Sequence, residues 1–284
     1  MEPDIYFVIT KNCNYACRHC LHEAGPGLKD TTISETDFRT VIRHLPKTSL
    51  DLCLSGGEVF TIKNTLYSFL DYLGYDNERR KRNGQGLISA IIQTNGFWAT
   101  NDDKAKSVLF DLASRGVDWL DIASYDKFHE EAGANLQKLE RLVELARQGD
   151  FFRKVSLRGL SKIKQAAPVG RAKQMELRMS RIHVNYNGNC QGALGSYDLT
   201  ITPKGDVNMC CVLQAPLPGN VIKEPLVDIV RRARTIERAK ILDQEGIQKL
   251  ALTDDWAERD VKEEIKKHGQ CGFCFRAYRE GIKF

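Results

Sequence analysis

The sequence lacks an apolar run long enough to cross a lipid bilayer, and no basic-then-apolar signal pattern precedes Asp4. It also lacks internal repeats and low-complexity tracts, which argues against a repeat architecture. A strong charge of one sign is missing too, since 42 Lys and Arg stand against 37 Asp and Glu, too small an excess for a nucleic-acid-binding balance. We therefore expect a cytoplasmic globular protein that binds neither membrane nor nucleic acid.

The chain has 284 residues, of which 42% are hydrophobic, enough for one main core and a smaller extension. Extended apolar runs alternate with helix-like stretches, which predicts βαβ units around a parallel sheet. Ser34 with Asp37 resembles a capping box that opens a helix, and Gly116 ends the helix that follows "NDD". The predicted strands span residues 4–10, 50–57, 86–96, 119–126 and 153–160.

The pattern changes after about residue 185. Alternating strand residues flank a Pro-Lys-Gly-Asp turn in 198–211, which predicts a hairpin, and a charged, helix-like stretch follows at 224–268. We place a domain boundary near residue 180. The prediction is a main α/β domain over 1–180 and a small hairpin-and-helix domain over 181–284.

Nine cysteines in a chain without a secretion signal indicate metal or redox chemistry rather than disulfides. Cys13, Cys17 and Cys20 follow directly after the first strand. Three thiolates can hold three irons of a cubane cluster and leave the fourth iron open. Zinc is the alternative, with His19 or His22 as fourth ligand, but it gives no reason for the "SGGE" motif after the second strand.

The spacing of Cys13, Cys17 and Cys20, and the "SGGE" motif from Ser55 to Glu58, resemble the radical S-adenosylmethionine (AdoMet) enzymes. The resemblance implies a partial (β/α)6 TIM-like barrel, a [4Fe–4S] cluster on the three cysteines, and AdoMet on the open iron. It also implies that the "SGGE" motif, which is Ser55, Gly56, Gly57 and Glu58, binds the AdoMet amino group. Glycines allow close backbone approach, and a carboxylate can accept from an ammonium.

Other AdoMet contacts are implied by position in the same family pattern. His19 stands where the family has a residue against the adenine. Asn95, Ser124 and Asp126 end the third and fourth strands, where ribose contacts would lie, and Arg171 is a candidate partner for the methionine carboxylate. Each has a structural alternative, such as a turn at Asn95, a polar strand end at Ser124 or a solvated Arg171. Cys53 lies in an apolar strand and is expected to be buried without a ligand role.

A second group of cysteines is available downstream. Cys190, one of the pair Cys210 and Cys211, and the pair Cys271 and Cys274 supply four thiolates, enough to enclose a second [4Fe–4S] cluster or a zinc ion. The arrangement resembles the shortened auxiliary-cluster ("twitch") domain of radical AdoMet enzymes. We assign Cys210 to the cluster, although Cys211 is the open alternative.

The remaining thiol, Cys211, suggests a reaction. The motif run is similar to that of radical AdoMet epimerases, in which a cysteine returns a hydrogen atom to the substrate radical, so Cys211 is the candidate catalytic residue. It could equally be a packing residue. The alternatives are a dehydrogenase or bond-forming enzyme of natural-product biosynthesis, acting on aminoglycosides, nucleosides or peptides, and a non-catalytic zinc-binding module.

The partners follow from the same resemblance. A reductant such as flavodoxin or ferredoxin is expected. Many peptide-modifying relatives carry a leader-binding module, for which there is no room before Asp4, so we expect a small-molecule substrate or a separately delivered peptide.

Overall fold

Eight strands form one open sheet in the computed structural model, which describes residues 4–159, 170–171, 193–209, 215–254 and 256–279. The strands are β1 (Ile5–Thr10), β2 (Leu50–Gly56), β3 (Ile88–Thr94), β4 (Val117–Tyr125), β5 (Lys154–Gly159), β6 (Leu199–Ile201), β7 (Asp206–Met209) and β8 (Ala215–Asn220). Their order is β5-β4-β3-β2-β1-β6-β7-β8. The first six strands in this order are parallel to one another, and β7 pairs in antiparallel fashion with both β6 and β8.

Helices lie between the strands along the chain, and three more helices come after the last strand. They are α1 (Glu35–His44), α2 (Lys63–Arg82), α3 (Asp102–Ser114), α4 (Lys127–Glu131), α5 (Leu136–Gln148), α6 (Ala193–Ser196), α7 (Leu226–Ala233), α8 (Glu237–Thr253) and α9 (Glu258–Arg279). Ser34 caps α1 by accepting from the amide of Asp37 at 3.1 Å, as the capping-box pattern predicts. None of the helices within the described ranges is long and apolar enough to span a membrane.

The main core lies between one face of the sheet and the helices. Every residue of β1 is buried, as expected for a strand in the middle of a parallel sheet. Phe7 stacks on Phe38 of α1 at 5.7 Å between ring centroids, and Phe38 stacks on Phe69 of α2 at 4.0 Å. This packing holds the first two helices on the sheet and leaves its other face for a different set of side chains.

A row of four buried side chains, Tyr6, Cys53, Ile91 and Trp119, forms a separate small cluster. The strand register aligns them, because Tyr6 pairs with Cys53, Cys53 with Ile91, and Ile91 with Trp119. Since side chains alternate along a strand, this row lies on the face opposite Phe7. Cys53 is buried there, as predicted.

The predicted hairpin is present as β6 and β7, and β6 continues the main sheet by pairing in parallel with β1. The predicted boundary at residue 180 lies outside the described residues, so the division into two domains stays a prediction. Sequence reasoning missed β8, because Pro216 and Pro218 are rare in strands except at an edge, which is where β8 lies. The predicted helical stretch is three helices, and α9 continues through Cys271 and Cys274.

Candidate functional site

The cysteine loop, residues 11–25, begins where β1 ends and is closed by backbone hydrogen bonds. The amide of Cys13 donates to the carbonyl oxygen of Gly25 at 3.1 Å, and the amide of Gly25 donates to that of Lys11 at 3.0 Å. Inside the loop, the amide of Cys20 donates to Cys17 at 3.1 Å. The loop is therefore a folded unit whose two ends lie side by side at the carboxyl end of β1.

The three thiols of this loop are largely shielded from solvent. Cys13 and Cys17 are buried and Cys20 is half-buried. Backbone amides donate to sulfur, from Tyr15 to Cys13 at 3.4 Å and from Ala24 to Cys20 at 3.3 Å. Burial raises the pKa of Cys13 to about 11, with smaller contributions from the charges of Glu58 and Cys20. Burial, together with the charges of Cys20 and Cys13, raises the pKa of Cys17 to about 12.

These three thiols are suited to bind a metal cation together. A buried thiolate is unfavourable without a positive partner, and three of them repel one another, so a metal is what permits all three to ionise together. Hydrogen bonds from amides to sulfur also tune the reduction potential of an iron–sulfur cluster. Cys13, Cys17 and Cys20 could thus hold a [4Fe–4S] cluster through three of its irons.

The "SGGE" segment lies directly against this loop. The amide of Gly57 donates to Thr10 at 2.8 Å and that of Glu58 donates to Asn12 at 2.9 Å. A Cβ on Gly56 would stand 2.1 Å from the carbonyl oxygen of Thr10, and one on Gly57 would stand 2.3 Å from that of Asn12. Both glycines are therefore required by the close approach of two backbones, in addition to any contact with a ligand.

Glu58 is buried and joins the ends of β2 and β3. Its carboxylate accepts from the amides of Phe60 at 3.0 Å and Asn95 at 2.6 Å and from the hydroxyl of Thr94 at 2.8 Å. Burial raises the pKa of Glu58 to about 7, against the lowering effect of these three hydrogen bonds. The side chain thus supports the rim of the sheet, and its contact with an AdoMet ammonium stays a prediction.

Asn95 and Asp126 both turn toward the cysteine loop. The side-chain Nδ2 of Asn95 donates to Oδ1 of Asn14 at 2.9 Å. Asp126 caps α4 by accepting from the amides of Phe128 and His129, and its other oxygen lies 3.0 Å from Nε2 of His19. Burial works to raise the pKa of Asp126, but hydrogen bonds from His129 and His19 outweigh it and hold that pKa well below its usual range.

The predicted adenine contact, His19, therefore has a partner that the sequence did not reveal. Its ring stacks on Phe128 at 4.8 Å between centroids. The side chain of Ser124, at the end of β4, lies outside the described part of the structure. The roles of these residues toward the adenosine stay predictions.

Arg171 braces the cysteine loop. Its guanidinium donates to the carbonyl oxygens of Cys17 and Ala24, both at 2.5 Å, and its amide donates to Cys20 at 3.0 Å. The preceding Gly170 is in the left-handed region at φ 54°, and a Cβ there would stand 2.3 Å from the carbonyl oxygens of Cys20 and Leu21. The sequence analysis predicted that Arg171 binds the methionine carboxylate of AdoMet, and that contact stays a prediction. The observed contacts of Arg171 are with the backbone of the cysteine loop.

A polar row crosses four strands on the same face as the small cluster, and sequence reasoning missed it. The hydroxyl of Ser55 donates to Oε1 of Gln93 at 2.5 Å, Nε2 of Gln93 donates to Asp121 at 3.0 Å, and the hydroxyl of Ser156 donates to Asp121 at 2.6 Å. The register pairs Gln93 with Asp121 and Asp121 with Ser156. In the sequence, the row corresponds to one polar residue within each of four apolar strands. These residues can be recognised as neighbours only once the strand register is known.

Of the second cysteine group, the structure describes only part. Cys190, Cys210 and Cys211 lie outside the described residues, as does the side chain of Cys271. Cys274 is buried in α9 beside Phe273, whose ring meets Trp256 edge-on at 5.4 Å. The auxiliary cluster stays a prediction.

The fold is similar to that of solved structures that hold AdoMet. The crystal structure of BtrN in complex with AdoMet and 2-DOIA has a TM-score of 0.55 at 18% sequence identity, covering 84% of this chain and 86% of that chain. Native anSMEcpe with bound AdoMet and Cp18Cys peptide has a TM-score of 0.52 at 11% identity, covering 97% and 94%. No protein-family model and no curated protein sequence matches the chain. The shared feature is therefore the fold, an α/β partial TIM-like barrel with an open sheet, which confirms the predicted fold class.

Proposed function

We propose that this chain is a radical AdoMet enzyme. The observation that carries the proposal is the contact between two motifs, the buried three-thiol loop after β1 and the "SGGE" segment after β2, joined by the hydrogen bond from Glu58 to Asn12 at 2.9 Å. The fold shared with two AdoMet-bound structures supports it. When bound, the cluster supplies the electron that cleaves AdoMet into methionine and a 5′-deoxyadenosyl radical, which then takes a hydrogen atom from the substrate.

In this proposal, the residues of the chain bind and orient the cluster and AdoMet. Cys13, Cys17 and Cys20 would hold the cluster, and the burial of Cys13 and Cys17 would limit its contact with water. The residues expected to contact AdoMet are the "SGGE" segment, His19, Asn95, Ser124, Asp126 and Arg171. A reductant such as flavodoxin or ferredoxin delivers the electron.

Anaerobic reconstitution tests this proposal. The wild-type protein should bind iron and sulfide and form 5′-deoxyadenosine from AdoMet with a chemical reductant. Cys17→Ala should form none. Cys53→Ala is the matched control, because Cys53 is buried in β2 away from the loop and should leave the product yield unchanged. Wild-type protein that binds zinc but no iron would instead favour the zinc-binding module.

For the reaction itself, we propose epimerisation, with Cys211 as the hydrogen-atom donor and a second [4Fe–4S] cluster on Cys190, Cys210, Cys271 and Cys274. The donated atom leaves a thiyl radical on Cys211, which the reductant and one proton return to the thiol. Dehydrogenation or bond formation is the alternative, for which an auxiliary cluster on these cysteines would supply a one-electron acceptor.

Product mass separates these reactions. In deuterated water, an epimerase adds one deuterium to the inverted carbon, whereas a dehydrogenase removes two mass units. Cys211→Ala should still form 5′-deoxyadenosine but no epimer, and epimer from this variant would show another donor. Both small molecules and peptides should be tried, since the BtrN structure holds 2-DOIA and the anSMEcpe structure holds a peptide.

A further inference from the structure

Two side chains of the polar row, Gln93 in β3 and Ser156 in β5, are only half-buried, although they lie within strands of the sheet. Asp121, which lies between them, is buried. Ile91 and Trp119 are also buried, and they lie on the same face, two residues nearer the start of β3 and β4. The sheet face is therefore covered below the polar row and partly open at the row itself.

The hydrogen bonds of the row fix which atoms donate and which accept. A carboxylate oxygen accepts, so Nε2 of Gln93 faces Asp121, and Oε1 of Gln93 accepts from the hydroxyl of Ser55. The indole nitrogen of Trp119 can only donate, and it does so to Oγ of Ser156 at 2.9 Å. The hydroxyl of Ser156 therefore donates to Asp121. The carboxamide of Gln93 is thus held in one orientation.

Three hydrogen-bonding positions of the row have no partner among the described residues. Gln93 keeps one N–H and one lone pair of its carbonyl oxygen, and Ser156 keeps one lone pair of its hydroxyl oxygen. Polar groups that are withdrawn from solvent nearly always have a partner, so a water or a ligand has to satisfy these positions.

Gln93 lies just below the predicted AdoMet site. Asn95, two residues further along the chain, donates to Asn14 of the cysteine loop. Two residues of a strand span about 7 Å, so Gln93 is within reach of a molecule that lies under the loop. We propose that Gln93 and Ser156 bind an uncharged hydroxyl or carboxamide group of the substrate, an inference that rests on the proposed radical AdoMet function.

The number of donors and acceptors decides the chemical class of this group. A hydroxyl or a carboxamide can accept from the N–H of Gln93 and donate to Oε1 of Gln93 or Oγ of Ser156. A carboxylate would leave both of these oxygens unpaired and would lie near the carboxylate of Asp121. An ammonium would leave the N–H of Gln93 unpaired. Each of these mismatches costs binding free energy, so the row selects against both charged groups.

Four small probes of similar size test this selection: ethanol, acetamide, acetate and ethylammonium. They are added to the reconstituted protein with S-adenosylhomocysteine, which the cluster does not cleave, in the AdoMet site. The reduced cluster is paramagnetic and speeds the nuclear relaxation of a methyl group that binds near it. We expect faster relaxation for ethanol and acetamide than for acetate and ethylammonium. The stronger of the two uncharged probes then names the substrate group as hydroxyl or carboxamide.

A pair of variants assigns the effect to Gln93. Gln93→Met keeps the length of the side chain but removes its hydrogen-bonding atoms, so the affinity for ethanol and acetamide should fall roughly tenfold. Its iron content should equal that of the wild type. Gln148→Met, exposed on α5, is the matched control and should bind the probes like the wild type.

Three results would overturn the proposal. The first is relaxation of acetate or ethylammonium as fast as that of the uncharged probes, and the second is no effect on any probe. The third is a folded Gln93→Met protein with wild-type affinity for ethanol and acetamide. The wild-type comparison decides even if the variant does not fold. A protein that takes up no iron would instead contradict the proposed function, and this inference would fall with it.

Discussion

The amide of Glu58 donates to the carbonyl oxygen of Asn12 at 2.9 Å, so the segment after β2 and the cysteine loop after β1 form one backbone network. Parallel neighbouring strands bring their carboxyl ends to the same edge, and here that edge carries both motifs.

Gly57→Ala should impair cluster loading. The new Cβ would stand 2.3 Å from the carbonyl oxygen of Asn12, a backbone atom that can move only if the cysteine loop moves. We expect a large loss of bound iron after reconstitution, measured as iron per chain. Gly74→Ala, in α2 with no atom within 4 Å of its new Cβ, is the control and should be neutral or stabilising by up to about 1 kcal/mol. Equal iron content in the two variants would contradict the close-approach argument.

Arg171→Lys should speed the loss of iron to a chelator. An ammonium cannot span the carbonyl oxygens of Cys17 and Ala24 as the guanidinium does, and a charged hydrogen bond contributes about 1.5 kcal/mol or more, which corresponds to about tenfold. Arg18→Lys, exposed in the same loop, should behave like wild type. If AdoMet affinity falls while iron retention does not change, Arg171 acts on the methionine carboxylate instead.

Glu58 should make stability fall as pH rises. Its pKa is about 7 in the folded protein against 4.5 as the ordinary value, so the folded state binds more protons between these values and unfolding becomes easier toward pH 7. The full difference across this window is about 3 kcal/mol. Denaturant unfolding from pH 5.5 to 7.5 should show this slope in wild type and a smaller one in Glu58→Gln. Parallel slopes would mean that Glu58 titrates normally.

Asp121→Asn should destabilise the fold. Asp121 is buried and accepts from Gln93 and Ser156, and an asparagine would face one of these donors with its own amide. We expect a loss of about 1–3 kcal/mol in the free energy of unfolding. Asp103→Asn, exposed on α3, should stay within about 0.5 kcal/mol. A loss as small as that of the control would show that the polar row contributes little to stability.

Much of the fold could be predicted because its signals are local. Five apolar runs became β1 to β5, since buried parallel strands are apolar on both faces. The cap at Ser34 depends on Asp37, three residues away. The edge strand β8 was missed because its prolines argue against a strand, and only its pairing with β7 shows it.

In the candidate site, too, the features with local signals could be predicted and the long-range contacts could not. Spacing alone brought together Cys13, Cys17 and Cys20, and strand ends brought the "SGGE" motif to their side. The partners of Arg171 could not be found this way, because Arg171 and Cys17 are 154 residues apart and nothing local joins them.

The sequence by itself determined β1 to β5, the β6–β7 hairpin and the cap of α1 at Ser34. It also determined the placement of three thiols and a glycine-rich turn at neighbouring strand ends, because periodicity and short spacing carry that information. Only the tertiary structure decided that Arg171 braces the cysteine loop, that Asp126 lies between His19 and His129, and that β6 joins β1. Hydrogen bonds and strand pairing depend on distance in space, and the folded chain sets that distance between residues that are far apart in sequence.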